Sequence, residues 1–279
     1  MELIADAGST KTDWVLLDGQ NIVESVTTQG INPVHHKEDY IFGIVTEELN
    51  CQKDTVNHIR FYGAGCSGQW NSIVQNVLAR VFPQASTIKV DSDLMAAARA
   101  LFGERAGIAC ILGTGSNSCM FDGDRIVDNV PPLGYILGDE GSGAVLGKLF
   151  LNALFKRALP ASVCDDFFAW SGLSYADVIE KVYRQPLANR FLSSCSLFIY
   201  NHLNDKSLFD LVRLNFKDFF LKNVIPYDRK DLEVGAVGSI AWYYQDILRD
   251  VAAEMGLKVG VIMKSPMEGL VRFHSNRQV

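Results

Sequence analysis

The chain repeats its own punctuation. Asp18-Gly19-Gln20-Asn21-Ile22-Val23 stands 104 residues before Asp122-Gly123-Asp124-Arg125-Ile126-Val127, and each copy follows a Gly/Ser/Thr turn and a strand-type run. An Asp-Gly turn between β-type runs marks a hairpin, and taken alone it recurs by chance. The preceding turn recurs too, as Asp6-Ala7-Gly8-Ser9-Thr10-Lys11-Thr12 in the first copy and Gly113-Thr114-Gly115-Ser116-Asn117 in the second. Two copies of one supersecondary block explain both recurrences.

Period-2 and period-3.6 patterning describes the block. In the first copy, strands are expected at 2–5, 13–17 and 22–28, a helix at 38–49, and a strand at 59–62. A helix at 69–82 is stopped by Pro83, and a strand at 87–90 leads into an alanine-rich helix, 94–102, ended by Gly103. In the second copy, strands at 107–112 and 118–121 open the block. It closes with a strand at 232–237, a helix at 240–255, a strand at 258–263 and a short helix after Pro266. Between them, residues 139–223 show aliphatic and aromatic spacings of three and four, which reads as an inserted helical cap. The expected fold is α/β: two facing βββαβα lobes, 1–105 and 106–264, with a helical insertion at about 144–225 in the second. Residues 265–279 are a candidate to rejoin the first.

A length of 279 residues suits two lobes. The net charge of −6, from 26 basic and 32 acidic residues, argues against a nucleic-acid surface or a polybasic membrane contact, so a phosphate-bearing ligand must be held locally. Cys51, Cys66, Cys110, Cys119, Cys164 and Cys195 form no C-x-x-C pair and read as reduced core residues. No charged leader with an apolar stretch opens the sequence, and no apolar run approaches the ~18 residues of a membrane span. A cytoplasmic location is expected.

In Asp6 to Thr12, backbone N–H groups and hydroxyls of a tight turn can cradle phosphate oxygens. Lys11 adds a positive charge, and Asp6 a carboxylate able to orient Mg²⁺ through water. Gly/Ser/Thr turns are mostly only turns, but two such turns on facing repeats point to a nucleotide clamp. The run Gly134-Tyr135-Ile136-Leu137-Gly138-Asp139-Glu140-Gly141-Ser142-Gly143 reads either as a capped helix start with well-placed acids or as a ligand loop. Its four glycines favour close backbone approach to a ligand.

Taken together, Asp6 to Thr12, Gly113 to Asn117, Gly138-Asp139-Glu140-Gly141-Ser142 and Gly238-Ser239-Ile240-Ala241 resemble the phosphate-1, phosphate-2, hinge-side and adenosine motifs of the BadF/BadG/BcrA/BcrD ATPase family. Within it the chain most resembles N-acetylglucosamine kinases of the actin/hexokinase/Hsp70 superfamily, over nearly its whole length. The resemblance implies ribonuclease-H-like lobes of the actin-like ATPase fold. It also implies ATP and Mg²⁺ as cofactors and phosphorylation of an N-acetylated amino sugar, N-acetylglucosamine to its 6-phosphate. Asp6, Gly8, Ser9, Thr10 and Lys11 would face the phosphates and Mg²⁺, with Gly113, Thr114, Gly115 and Ser116 opposite and Gly238 and Ser239 flanking adenosine. For the sugar, the resemblance implies Asn32, Gly65, Asn117, Gly138 and Asp139, with Asp93 as catalytic base. On residues alone, Asn32 before Pro33 is nearly as well read as a turn residue, Asp93 is better read as a helix N-cap, and Asp91 competes for either role.

The lead Pro132-Leu133-Gly134-Tyr135-Ile136-Leu137 departs from the family pattern and leaves muramic-type and other hexosamines open as substrates. A homodimer is also left open. An iron–sulfur activator of the same family would need clustered thiolates, and Cys66 has no cysteine neighbour. A sugar-sensing regulator would need a DNA-binding segment ahead of the first strand. A zinc-containing kinase would need a compact Cys/His cluster, whereas His35-His36 is expected on a surface loop.

Overall fold

The computed structural model describes residues 1–8 and 10–276. The chain divides into two compact units. The first comprises 1–105, 123–125 and 265 onward, and the second 106–122 and 126–264. Assignment of 123–125 to the first unit differs from the sequence expectation. It follows from Gly123 lying against the backbone of Glu104, where a β-carbon would collide.

The first unit opens with strands β1 (Glu2–Ala7), β2 (Lys11–Asp18) and β3 (Asn21–Gln29). β1 is flanked by β2 and by β4 (His58–Gly63), so its apolar residues are buried on both faces. β3 is an edge strand, and its residues are mostly exposed. Helix α1 (Glu38–Gly43) continues as a wider turn over Ile44–Glu48 rather than as the single helix expected. After β4 come α2 (Asn71–Val81), β5 (Thr87–Ser92) and α3 (Asp93–Phe102). The sheet order is β3-β2-β1-β4-β5, with β1, β4 and β5 parallel. One core joins Leu3, Ala5, Trp14, Ile31, Phe61, Val74 and Phe82.

In the second unit, β6 (Gly107–Leu112), β7 (Ser116–Phe121) and β8 (Ile126–Asp128) repeat the opening antiparallel meander. Short α4 (Gly134–Leu137) occupies what the sequence suggested was loop. The insertion then follows as α5 (Gly143–Phe155), α6 (Ala161–Ser171), α7 (Tyr175–Tyr183), α8 (Ala188–Asn201) and α9 (Lys206–Phe219). The unit closes with β9 (Val234–Val237), α10 (Ser239–Tyr243), α11 (Gln245–Glu254) and β10 (Val259–Met263). The single helix expected over 240–255 breaks at Tyr244. Three successive aromatic residues propagate a helix poorly, and the Tyr244 hydroxyl donates to the Ser196 carbonyl at 2.5 Å. The sheet order is β8-β7-β6-β9-β10, the order of the first sheet repeated, which is the structural counterpart of the sequence repeat. Helix α12 (Met267–Ser275) packs against α3, β1 and β2 of the first unit. No helix among the described residues is long and apolar enough to cross a membrane.

Candidate active site

In the first unit, the expected phosphate turn is tighter than its sequence suggests. β1 runs through Ala7 and β2 begins at Lys11, so Asp6, Lys11 and Thr12 are strand residues rather than turn residues. The Gly8 N–H donates to the Lys11 carbonyl at 2.9 Å, closing the hairpin. Ser9 lies outside the described residues. The fully buried Thr12 accepts the Ile31 N–H on its hydroxyl at 3.2 Å, and the Gly30 N–H donates to Thr10 at 3.1 Å. The loop bearing Asn32 is thus pinned to the turn.

Strand pairing lays a polar row across this sheet. Thr27 pairs with Asp13, Asp13 with Asp6, Asp6 with Tyr62, and Tyr62 with Asp91, and paired residues share a face. Lys11 Nζ lies 2.5 Å from the Asp13 carboxylate, which also accepts the Thr27 hydroxyl at 2.8 Å. Burial, reinforced by the nearby Asp13 and Asp93 carboxylates and opposed by Lys11, pushes the Asp6 carboxyl up to about 7. Such crowded acids are a poor arrangement without a cation and a good one with it. Asp6 and Asp13 face one another there, and among the described residues no group of three or more His, Cys, Asp or Glu side chains is placed to hold a metal ion.

Asp93 stands at the first position of α3, but it does not cap the helix. Ser92 is the cap, its hydroxyl accepting the Met95 N–H at 3.2 Å. Burial raises the Asp93 carboxyl, and the Leu94 N–H, donating to it at 2.9 Å, opposes that shift. Asp91, its competitor in the sequence, is held by Arg99 at 2.9 Å. Cys66 is 1% exposed, and burial pushes its thiol up to about 12, so it is no ready thiolate ligand.

Asn32 serves its turn. Its Oδ1 accepts the Val34 N–H at 3.0 Å, and its carbonyl accepts from His35 and His36 at 3.0 and 2.9 Å. Gly65, at φ +78°, packs against that carboxamide so closely that a methyl group would collide with it. Asn32→Asp keeps the acceptor for Val34 but loses the amide donor. If Asn32 also binds substrate, this variant is expected to melt within a few degrees of wild type and to raise the KM for that substrate at least about tenfold, as steady-state kinetics would show. An unchanged KM would leave Asn32 to the turn.

In the second unit, Gly113 and Gly238 terminate the adjacent parallel strands β6 and β9, the strand ends where open α/β sheets gather ligands. Gly238 has φ +120°, and a β-carbon there would strike the Leu112 carbonyl, so this crossing requires glycine. Its N–H donates to the Met263 carbonyl at 2.9 Å, and Ser239 begins α10. Gly113 N–H donates to Gly115, and the Gly113 and Thr114 carbonyls accept from Gly143 and Ala144 at 2.8 and 3.1 Å. The Ser116 hydroxyl donates to the Glu140 carbonyl at 2.7 Å. Asp139 adopts φ +56°, uncommon for a non-glycine residue, and its carboxylate lies against Gly115. Burial raises its carboxyl, opposed by the Ser116 N–H. Helix α5 is capped by Ser142, which accepts the Val145 N–H at 3.1 Å. The helix start is therefore capped without Asp139. Gly138 lies tight against the Pro132 carbonyl. Asn117 is not drawn to Asp139 by any hydrogen bond. Its Oδ1 accepts from Ser118 and Asn129 at 2.9 and 3.1 Å.

Sequence reasoning passed over Asp13, Tyr62 and Arg99. Asp13 was findable, since Lys11 and Asp13 are two apart on a strand and so share a face. Tyr62 and Arg99 meet across 37 residues of chain, which no local pattern reveals. A concavity of about 850 Å³, lined by Tyr135, Lys148, Phe155, Tyr175 and Tyr183 in the helical insertion, contains none of the expected site residues.

No protein-family model and no curated protein matches this chain. Solved structures do. One from Porphyromonas gingivalis, described as a "putative N-acetylglucosamine kinase", matches with a TM-score of 0.97 and 44% identity over 100% of both chains. One from Chromobacterium violaceum, described in the same words, has a TM-score of 0.75 and 16% identity over 98% of both. A ROK family glucokinase from Streptomyces griseus, solved with glucose and AMPPNP, has a TM-score of 0.63 and 14% identity over 100% of this chain and 99% of the other. The last two share the fold.

Proposed function

Since this chain belongs to the N-acetylglucosamine kinase family represented by the Porphyromonas gingivalis protein, we propose that it transfers the γ-phosphoryl group of ATP to an N-acetylated amino sugar, N-acetylglucosamine giving its 6-phosphate. The observation that carries this reading is the 44% identity over the whole of both chains.

In the first unit, Asp93 takes the proton of the acceptor hydroxyl. A buried carboxylate, raised by that burial and relieved of helix capping, is suited to that task. Lys11 presents positive charge beside the Gly8 turn, and Asp6 with Asp13 is the acidic pair to which Mg²⁺ would bind. Mg²⁺, when bound, supplies charge neutralisation for phosphoryl transfer. Asn32 and Gly65 hold the sugar's acetamido or hydroxyl groups. In the second unit, the Gly113 to Ser116 turn, whose hydroxyls and N–H groups suit phosphate oxygens, and Gly238 with Ser239 take the nucleotide. Gly138, Asp139 and Asn117 contribute sugar contacts. The reaction is assigned to the cytoplasm, where ATP is supplied.

A coupled ADP-release assay across N-acetylglucosamine, N-acetylmuramic acid, N-acetylmannosamine, glucosamine and glucose tests the substrate. The highest kcat/KM is expected for N-acetylglucosamine. Glucosamine is expected to fall by at least about tenfold, because a group built to meet the acetamide is then left unpaired. Equal rates with glucose would discard the amino-sugar reading, and no ADP release with any sugar would discard the kinase.

A further inference from the structure

Arg99 lies outside every motif discussed, yet it makes contacts of its own in the first unit. Its Nη1 donates to the Tyr62 hydroxyl at 2.8 Å and to Asp91 at 2.9 Å, and its guanidinium lies 5.6 Å from the ring centres of both Tyr62 and Phe273. Tyr62, 1% exposed, also meets His274 Nε2 of α12 at 2.8 Å. One side chain thus ties α3, which begins at Asp93, to β4, to the end of β5 and, through Tyr62, to α12.

The β5–α3 junction carries two carboxylates, Asp91 and Asp93, separated only by the capping Ser92. A reaction that uses one of them requires the other to be neutralised or held aside. Otherwise the second carboxylate competes for the same hydroxyl and repels charge brought to the site. Lys11, the cation of the β1–β2 turn, is bound to Asp13. Asp91 has its counter-cation in Arg99.

We propose that Arg99 is a positioning residue that acts through Asp91. With Tyr62 fixing its guanidinium, it sequesters the second carboxylate of the junction and leaves Asp93 alone to meet the sugar hydroxyl. The inference rests on Asp93 being the base, and it concerns charge rather than packing, so a double substitution tests it. Arg99→Gln strands the Asp91 charge, and kcat is expected to fall about tenfold, with KM for ATP and for sugar within about twofold of wild type. Adding Asp91→Asn removes the stranded charge and is expected to restore kcat to within about threefold. Loss of packing alone would not be repaired at Asp91.

An Arg99→Gln enzyme with wild-type kcat, or a double variant as slow as the single, overturns the proposal. Should Arg99→Gln not fold, Tyr62→Phe keeps the ring in place and removes the hydroxyl that steadies Arg99. Its kcat is expected to fall about threefold and to recover with Asp91→Asn, and a Tyr62→Phe enzyme at wild-type kcat overturns the proposal equally. Asp93→Asn, measured alongside, separates the two readings. An inactive Asp93→Asn with an unaffected Arg99→Gln sinks only the role of Arg99, whereas an active Asp93→Asn sinks both.

Discussion

Asp93→Asn is expected to lower kcat by about 10² to 10⁴ while leaving the protein folded and within about 1 kcal/mol of wild-type stability. The two parts separate because the helix start does not depend on the substituted group. Ser92 provides the cap, and an asparagine oxygen can still accept the Leu94 N–H that Asp93 accepts at 2.9 Å. What asparagine cannot do is take a proton. Phosphoryl transfer asks little covalent help of a protein, so alignment and one aimed carboxylate are the main tools available. Steady-state kinetics beside thermal melts decide the matter. A kcat near wild type in a stably folded variant eliminates the base assignment and moves attention to Asp139, since Asp91 is already paired.

Asp6→Asn is expected to produce a more stable and inactive protein. Burial and the neighbouring Asp13 and Asp93 carboxylates push the Asp6 carboxyl up to about 7 from its ordinary 3.8, so folding favours its protonated form. The stabilisation this gives is fully present below pH 3.8. It is lost as pH rises towards 7, and above that the fold carries the whole cost of an ionised, crowded carboxylate, on the order of a few kcal/mol. Asparagine carries no such cost. In melts of the nucleotide-free protein, the variant should gain on wild type between pH 5 and pH 8, and Mg²⁺ at pH 8 should raise the melting temperature of wild type but not of the variant. Mg²⁺-dependent turnover should vanish. A variant that melts below wild type at pH 8, or that keeps its turnover, would show that Asp6 is neither strained nor a cation site.

The repeated Asp-Gly turns and the Gly/Ser/Thr turns ahead of them were enough to read two βββαβα blocks, because hairpins are built from local contacts and leave local traces. The same locality exposed the Gly113 and Gly238 strand ends. It failed where a role passes between neighbours: Asp93 looked like a cap, and only the structure assigns that capping to Ser92. It failed more completely for the row from Thr27 to Asp91. The five residues come from five strands, and register, which no single strand encodes, brings them into line.

Helix α12 packs on the first unit, where His274 meets the Tyr62 hydroxyl and Phe273 lies beside the Arg99 guanidinium, and it buries Leu270, Phe273 and His274 there. Yet it follows the whole of the second unit in the chain. On the ribosome, β1 to β5 must emerge with that surface bare and wait while 106–264 is made, which at about 5 to 20 residues per second lasts roughly 10 to 30 s. Closing a loop of that length costs little more entropy than closing one half as long, so the delay is one of translation rather than of free energy. Completion of the first unit is therefore gated by synthesis of the second. A lesion that slows translation or folding of the helical insertion would be felt as aggregation of strands far from it in sequence.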